Sequence, residues 1–182
     1  MKRYYITDRK AVGGFHALIE VIRDQLHLGV DYIQIREKDL PARALFEFTL
    51  AVMEVRAVEK RPHMPAKILV NTRADVAVAA GADGVHLTAA APAATLPGLI
   101  VARSCHTLEE VSAAQADLVV FGPVFEGHGA EPATGLTILQ QACKLHPHVY
   151  ALGGVDWDNA ASCMDQGAEG VAGIRLFQEP AL

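Results

Sequence analysis

KILVNTRADVAVAAGADGVHL, residues 67–87, reads as an apolar strand, a polar turn, a short Ala-rich helix and a Gly-Ala-Asp-Gly handover into a second strand. One stretch therefore holds a complete βα step. A helix that ends at glycine suits the left-handed C-cap position, and the small residues behind it let the chain return tightly beneath the next strand. The handover recurs as GVDYI at 29–33, AQADLV at 114–119 and GAEGV at 167–171. Recurrence at this spacing is the mark of a repeat architecture built from alternating strands and helices.

Working outward, the same alternation covers the chain. Residues 4–8 form a β-rich run, Gly13-Gly14 a break, and residues 15–28 a helical pattern with Leu18, Ile19, Ile22 and Leu26 on one face. Residues 32–36 predict a second strand ending in Arg36-Glu37-Lys38-Asp39, after which Pro41 opens a long helix to about residue 61, broken by Pro62 and Pro65. Beyond the fourth strand, 84–87, the Ala- and Pro-rich segment 88–98 has room only for a short helix before a fifth strand at 99–104. A helix over 108–116, a sixth strand over 118–125 and a Gly-rich loop over 126–135, a lid candidate, come next. A helix to residue 145, a strand at 149–152, a helix at 157–166 and an eighth strand at 171–177 complete the pattern.

Strands apolar on both faces and alternating with helices predict an α/β fold, a closed parallel (β/α)₈ TIM barrel formed as one domain by residues 1–182, over an open doubly wound sheet. Only residues 178–182 follow the last strand, so the eighth helix is expected to be truncated or absent. The apolar flank this would leave on the eighth strand and first helix predicts a homo-oligomer.

Composition narrows the function. The 182 residues are 51% hydrophobic and 6% aromatic, which suits an aliphatic core. Sixteen basic against 21 acidic residues give a net charge of −5 with no dense basic run, which argues against nucleic acid and anionic membranes as partners. Small phosphorylated anions stay compatible, since local backbone amides bind them. No apolar run reaches the roughly 18 residues of a membrane span and the start MKRYYITD has no signal-like core, so the cytoplasm is the expected location. Cys105, Cys143 and Cys163 are odd in number and far apart, as reduced thiols would be. Cys143, His146 and His148 have the donors of a metal set, but a helix end turning at Pro147 accounts for them, and no metal site is expected.

In such a barrel the working residues lie at the C-terminal strand ends. Those ends carry Thr7 and Asp8; Gln34, Arg36 and Lys38; Asn71 and Arg73; His86; Ser104 and His106; Glu126 and His128; Gly153 and Gly154; Gly173 and Arg175. Arg36, Lys38 and Asn71 form a donor set suited to phosphate or diphosphate oxygens, the alternative being a rim ion-pair network with Glu37 and Asp39. Gly153, Gly154 and Gly173 fall after the seventh and eighth strands, where barrels often bind phosphate through exposed amides. Three histidines are candidates for proton transfer. His86 reads equally as a satisfied core residue, His106 as a neighbour of a helix cap, and His128 as a general acid or base in its Gly-rich loop or as a solvated loop residue.

Tyr5-Ile6-Thr7-Asp8, Gln34-Ile35-Arg36-Glu37-Lys38-Asp39, Asn71 before Arg73, Gly81-Ala82-Asp83-Gly84-Val85-His86-Leu87, Phe121-Gly122-Pro123-Val124-Phe125 and Gly153-Gly154-Val155 together resemble the thiamine phosphate synthase and TenI family. The resemblance implies a barrel that binds a thiazole phosphate at the glycines after the seventh and eighth strands. It also implies, in a synthase, a hydroxymethylpyrimidine diphosphate across the donors of strands two and three. The chain departs from the synthase pattern where that pattern has magnesium-holding aspartates: Thr72 follows Asn71, and Thr88-Ala89-Ala90-Ala91 follows the fourth strand. It also lacks the lysine and threonines of the sixth loop, and Pro123 stands where TenI-type tautomerases carry a histidine.

These departures make a TenI-like thiazole tautomerase with His128 as proton carrier the leading expectation. A thiamine phosphate synthase, requiring Mg²⁺ and a carboxylate from Asp8, Asp39 or Glu126, is the second. A non-catalytic phosphate-ligand-binding barrel is the third, and no cofactor is expected outside the synthase reading.

Overall fold

The computed structural model describes residues 1–59, 65–92, 96–127 and 132–178. Eight parallel strands close into a barrel in chain order: β1 (Lys2–Ile6), β2 (Tyr32–Ile35), β3 (Lys67–Asn71), β4 (Gly84–Leu87), β5 (Ile100–Cys105), β6 (Leu118–Phe121), β7 (Val149–Ala151) and β8 (Gly170–Gly173), which pairs back onto β1. The helices between them are α1 (Phe15–Leu28), α2 (Ala42–Val58), α3 (Ala74–Ala80), α4 (Leu108–Ala113), α5 (Leu136–Leu145) and α6 (Ala160–Asp165), and α7 (Arg175–Gln178) follows β8. The barrel expected from the apolar strands is the fold observed. Among the described residues no helix is long and apolar enough to cross a membrane.

Strand alternation explains why both faces had to be apolar. Tyr4, Ile6, Leu69, Ala102, Val120, Tyr150 and Ala172 pack together inside the barrel. Their neighbours Tyr5, Ile33, Ile35, Ile68 and Val70 pack with Leu18, Ile22, Leu45 and Phe48 of the surrounding helices. Each fully buried side chain of this size contributes about 1.5–3 kcal/mol, so the two layers together supply the dominant stabilising term.

The recurring handover has a structural cause at the N-terminal rim. Asp31, Asp83 and Asp117 each precede an even-numbered strand, donate their N–H to the carbonyl of Arg3, Ile68 or Val101, and accept that same residue's N–H on the carboxylate at 2.7–2.9 Å. Each aspartate thus closes the open end of the preceding strand. In the fourth handover Glu169 keeps the backbone bond to Val149, but its longer side chain reaches Lys2 and His148 instead. Gly29 and Gly81 cap α1 and α3 at φ 86 and 67, the left-handed geometry the sequence required.

Several boundaries differ from the sequence reading. In the segment 88–98, turns take the place of the short helix over its described residues, while residues 93–95 lie outside them. Arg103, buried on β5, holds this segment by donating to the carbonyls of Thr88, Ala89, Ala91 and Pro92. β6 stops at Phe121, and the Gly122–Pro123 peptide that follows it is cis. The expected eighth strand also divides: it ends at Gly173, and Arg175 opens a four-residue helix, so Arg175 is a helix residue and not a strand end. The eighth helix is therefore truncated among the described residues. Phe177 fills the flank there, with its ring 5.7 Å from those of Tyr5 and Trp157, and Gln178 donates to the Tyr5 hydroxyl and the Asp8 carbonyl.

Candidate functional site

Two recesses open at the C-terminal ends of the strands. The first, about 260 Å³, lies over β2, β3 and β4 between Ile35, Lys38, Leu40, Asn71, Thr72 and Thr88. The second, about 520 Å³, lies over β7 and β8 between Glu126, Gly153, Gly154, Gly173, Ile174 and Arg175. Of the predicted residues, Lys38 and Asn71 line the first recess, and Gly153, Gly154, Gly173 and Arg175 the second.

The charges around the first recess are sorted by a rim ion-pair network on Glu37 and Asp39 whose cations come from the loop after β1. Arg9 pairs bidentately with Asp39 and reaches Glu37 at 2.9 Å, and Lys10 adds a bond to Asp39. These cations hold the Asp39 carboxyl well below the usual carboxylate range. Glu37 is buried and accepts also from the Thr7 hydroxyl at 2.7 Å, while that hydroxyl accepts the Arg36 N–H. An acidic rim network does exist, then, but its cations are Arg9 and Lys10. The side chains of Arg36 and Lys38 form no hydrogen bond or ion pair with any described residue.

Toward the barrel axis, Gln34 donates to the Asn71 side-chain oxygen at 2.9 Å, and its own buried carbonyl oxygen has no partner among the described residues. Sequence analysis places Gln34 among the polar residues of the strand ends without giving it a partner or a ligand. The signal was parity: residues 32 and 34 of β2 face inward, so a glutamine at 34 had to be a core polar group or a ligand contact.

His86 is buried, with Nδ1 2.6 Å from the Tyr4 hydroxyl and Nε2 2.8 Å from the Ser104 hydroxyl. Burial pulls its pKa down to about 3, aided by the nearby Arg36 charge. Both nitrogens are engaged and the ring is neutral near pH 7, which is the core-histidine alternative. His106 sits in the cap of α4: its N–H donates to the Glu110 carboxylate at 2.6 Å, beside the Thr107–Glu110 capping box, and its Nδ1–H donates to the Gly122 carbonyl at 2.7 Å. His128, with residues 129–131, lies outside the described residues.

The second recess is shaped by glycine. Gly153 and Gly154 have φ of 90 and 62, and a Cβ would lie 2.5 Å from Pro123 at the first and 2.5 Å from the Glu126 carbonyl at the second. Only glycine fits where the loops after β6 and β7 cross this closely. Neither amide N–H donates to a described residue, so both are available to an anion.

Metal binding has little to build on. No cluster of three or more His, Cys, Asp or Glu among the described residues is placed to hold an ion. Asp8 accepts from the N–H groups of Lys10 and Ala11, and at the opposite end of the barrel His146 accepts the His148 N–H and contacts the Ala116 carbonyl, as a turn residue does. The three cysteines are free thiols, and burial raises each to about 11.

A family model described as thiamine monophosphate synthase matches residues 3–177. A protein of Aquifex aeolicus named "Putative thiamine-phosphate synthase 2" is 38% identical over 97% of each chain. The thiamine-phosphate synthase of Roseiflexus castenholzii is 34% identical over 94% of this chain and 78% of its own. Among solved structures, the thiamine phosphate pyrophosphorylase of Pyrococcus furiosus superposes with a TM-score of 0.80 at 31% identity, covering 96% of this chain and 85% of that one.

Proposed function

For a chain that belongs to the thiamine monophosphate synthase family, we propose the coupling of a hydroxymethylpyrimidine diphosphate to a thiazole phosphate. The thiazole nitrogen forms a bond to the pyrimidine methylene carbon, the carbon–oxygen bond to diphosphate breaks, and diphosphate leaves. The observation that carries this reading is the pair of cations, Arg36 and Lys38, whose side chains are unengaged among the described residues, their acidic neighbours being taken by Arg9 and Lys10. Developing charge on a leaving diphosphate is what such donors stabilise.

In this reading Arg36, Lys38, Asn71 and Ser104 bind the diphosphate, and the unpaired Gln34 oxygen accepts from the amino group of the pyrimidine. Gly153, Gly154, Gly173 and Arg175 hold the thiazole phosphate in the second recess. Two anions bound on one barrel face leave their organic parts to meet between them.

Magnesium serves this chemistry in the family, but the residues present do not fit a protein-held ion. Thr72 and the 88–91 segment replace the expected aspartates, and Asp8 and Asp39, two of the three carboxylates considered as substitutes, are engaged by amides or cations. Glu126 lies in the other recess. No step of the proposal runs through the metal.

The same missing carboxylates favour a second reading, a TenI-like tautomerase acting on a thiazole carboxylate phosphate, with His106 or His128 as proton carrier. Incubation with both substrates, with and without Mg²⁺, followed by mass, separates the two. Thiamine phosphate formation supports coupling, isomerisation of the thiazole alone supports the second reading, and tight binding without turnover identifies a ligand-binding barrel. Arg36→Ala is expected to weaken diphosphate binding by about 1.5–3 kcal/mol, the range for hydrogen bonds to charged groups. Unchanged affinity in calorimetry with a lowered melting temperature would make Arg36 a structural rim residue.

A further inference from the structure

Tyr4, His86 and Ser104 form a chain of hydrogen bonds from the barrel interior to the end of β5, at 2.6 and 2.8 Å. The Tyr4 hydroxyl has no solvent exposure, and His86 Nδ1 is its one hydrogen-bond partner among the described residues. The rings of Tyr32 and Tyr150, with centroids 5.5 and 5.8 Å away, hold the phenol ring in place, so its oxygen stays within reach of Nδ1. A buried hydroxyl proton with nothing to receive it is costly, so the Tyr4 O–H donates to Nδ1.

That choice settles the rest of the chain. A neutral imidazole whose Nδ1 accepts carries its proton on Nε2, and Nε2–H then donates to the Ser104 oxygen. Ser104 receives a proton from behind and has its own left to give. It has no other side-chain partner among the described residues and is partly exposed at its strand end. We propose that Tyr4 and His86 are positioning residues that fix the polarity of the Ser104 hydroxyl, making it an obligate donor to an anionic ligand at the C-terminal face. The opposite polarity would turn the serine proton inward and present oxygen lone pairs to the anion. The ring stays neutral through the physiological range because burial keeps its pKa near 3, so pH does not reverse the relay.

The inference rests on the anion-binding role proposed for Ser104, but its central claim is measured without turnover. In protein labelled with ¹⁵N in the histidine rings, and with the His86 signals assigned by their loss in His86→Gln, Nδ1 is expected to be the unprotonated nitrogen and Nε2 the protonated one. The reverse tautomer overturns the proposal.

Inorganic pyrophosphate serves as the probe for the second arm, by calorimetry. Ser104→Ala is expected to weaken its binding about tenfold, as loss of a hydrogen bond to a charged group does. Tyr4→Phe frees the tautomer and is expected to cost several-fold in the normal background and nothing further in Ser104→Ala. An equal loss in both backgrounds would mean that Tyr4 acts on the fold and not through the serine, which overturns the relay. If pyrophosphate binds to none of the proteins, the anion-binding reading of Ser104 fails, and with it the ligand-donor role, while the tautomer still decides the direction of the chain.

Discussion

Thr72 has φ 59, and among the described residues it is the one non-glycine in the left-handed region. Its neighbours close a tight turn, Arg73 N–H donating to the Asn71 carbonyl at 2.8 Å, and its own N–H donates to the His86 carbonyl at 2.9 Å. A β-branched side chain in this conformation is costly, whereas asparagine tolerates it. Thr72→Asn is expected to raise stability by about 0.5–1 kcal/mol, read as a higher denaturant midpoint with an unchanged slope. His86 makes a prediction of opposite sign. Its pKa is about 3 in the fold and about 6.5 in the unfolded chain, so between these values only the unfolded state binds the proton. Stability is expected to fall as pH drops below about 6.5, with a slope approaching roughly 1.4 kcal/mol per pH unit. Much of the fall down to about pH 5 precedes carboxylate titration, and a flat profile of unfolding free energy over that window would place the imidazole in contact with solvent.

At the scale of elements, the described residues of the β4–β5 connection are turns held by one side chain. The Arg103 guanidinium gives protons to four carbonyls of the 88–92 segment, yet its buried Nε–H has no partner among the described residues. Arg103→Met retains most of the apolar stem and removes the donors, so four carbonyls of the segment lose a charged donor at once. A loss of about 2–3 kcal/mol is expected, with faster hydrogen exchange concentrated in residues 88–92. Uniform acceleration across the barrel would mean that Arg103 acts as core filling. Thr88 lines the first recess, so the same substitution is also expected to loosen ligand binding there.

For the whole molecule, closure is the issue. The sequence reading drew its homo-oligomer from an open flank at β8 and α1, but Phe177 occupies that flank against Tyr5 and Trp157, and Gln25 donates to the Phe177 carbonyl at 3.0 Å. Phe177→Ala is expected to cost about 3–5 kcal/mol, the range for emptying a large aromatic site, and to lower the melting temperature accordingly. A change below about 1 kcal/mol would show that the flank is covered by something other than this ring, and sedimentation of the two proteins would then reveal whether a second copy does so.

Alternation of apolar runs with glycine-ended helices determined the barrel before any coordinate was known, because a strand covered on both faces and returned by a helix has few other ways to bury itself. The repeated aspartate was legible too, although its purpose, closing the end of the preceding strand, appears only when the strands stand side by side. Strand ends pointed to Arg36, Lys38, Asn71 and the glycine pair by position alone. Tertiary structure decided which charges remain to be used: Arg9, from a different loop, takes Glu37 and Asp39 and leaves Arg36 and Lys38 without side-chain partners among the described residues. It likewise decided that His86 is a buried link between Tyr4 and Ser104, 82 residues from the first and 18 from the second. Local pattern reports what a residue's own strand does with it, whereas ion pairing and burial depend on which distant residues arrive beside it, and barrel closure sets that.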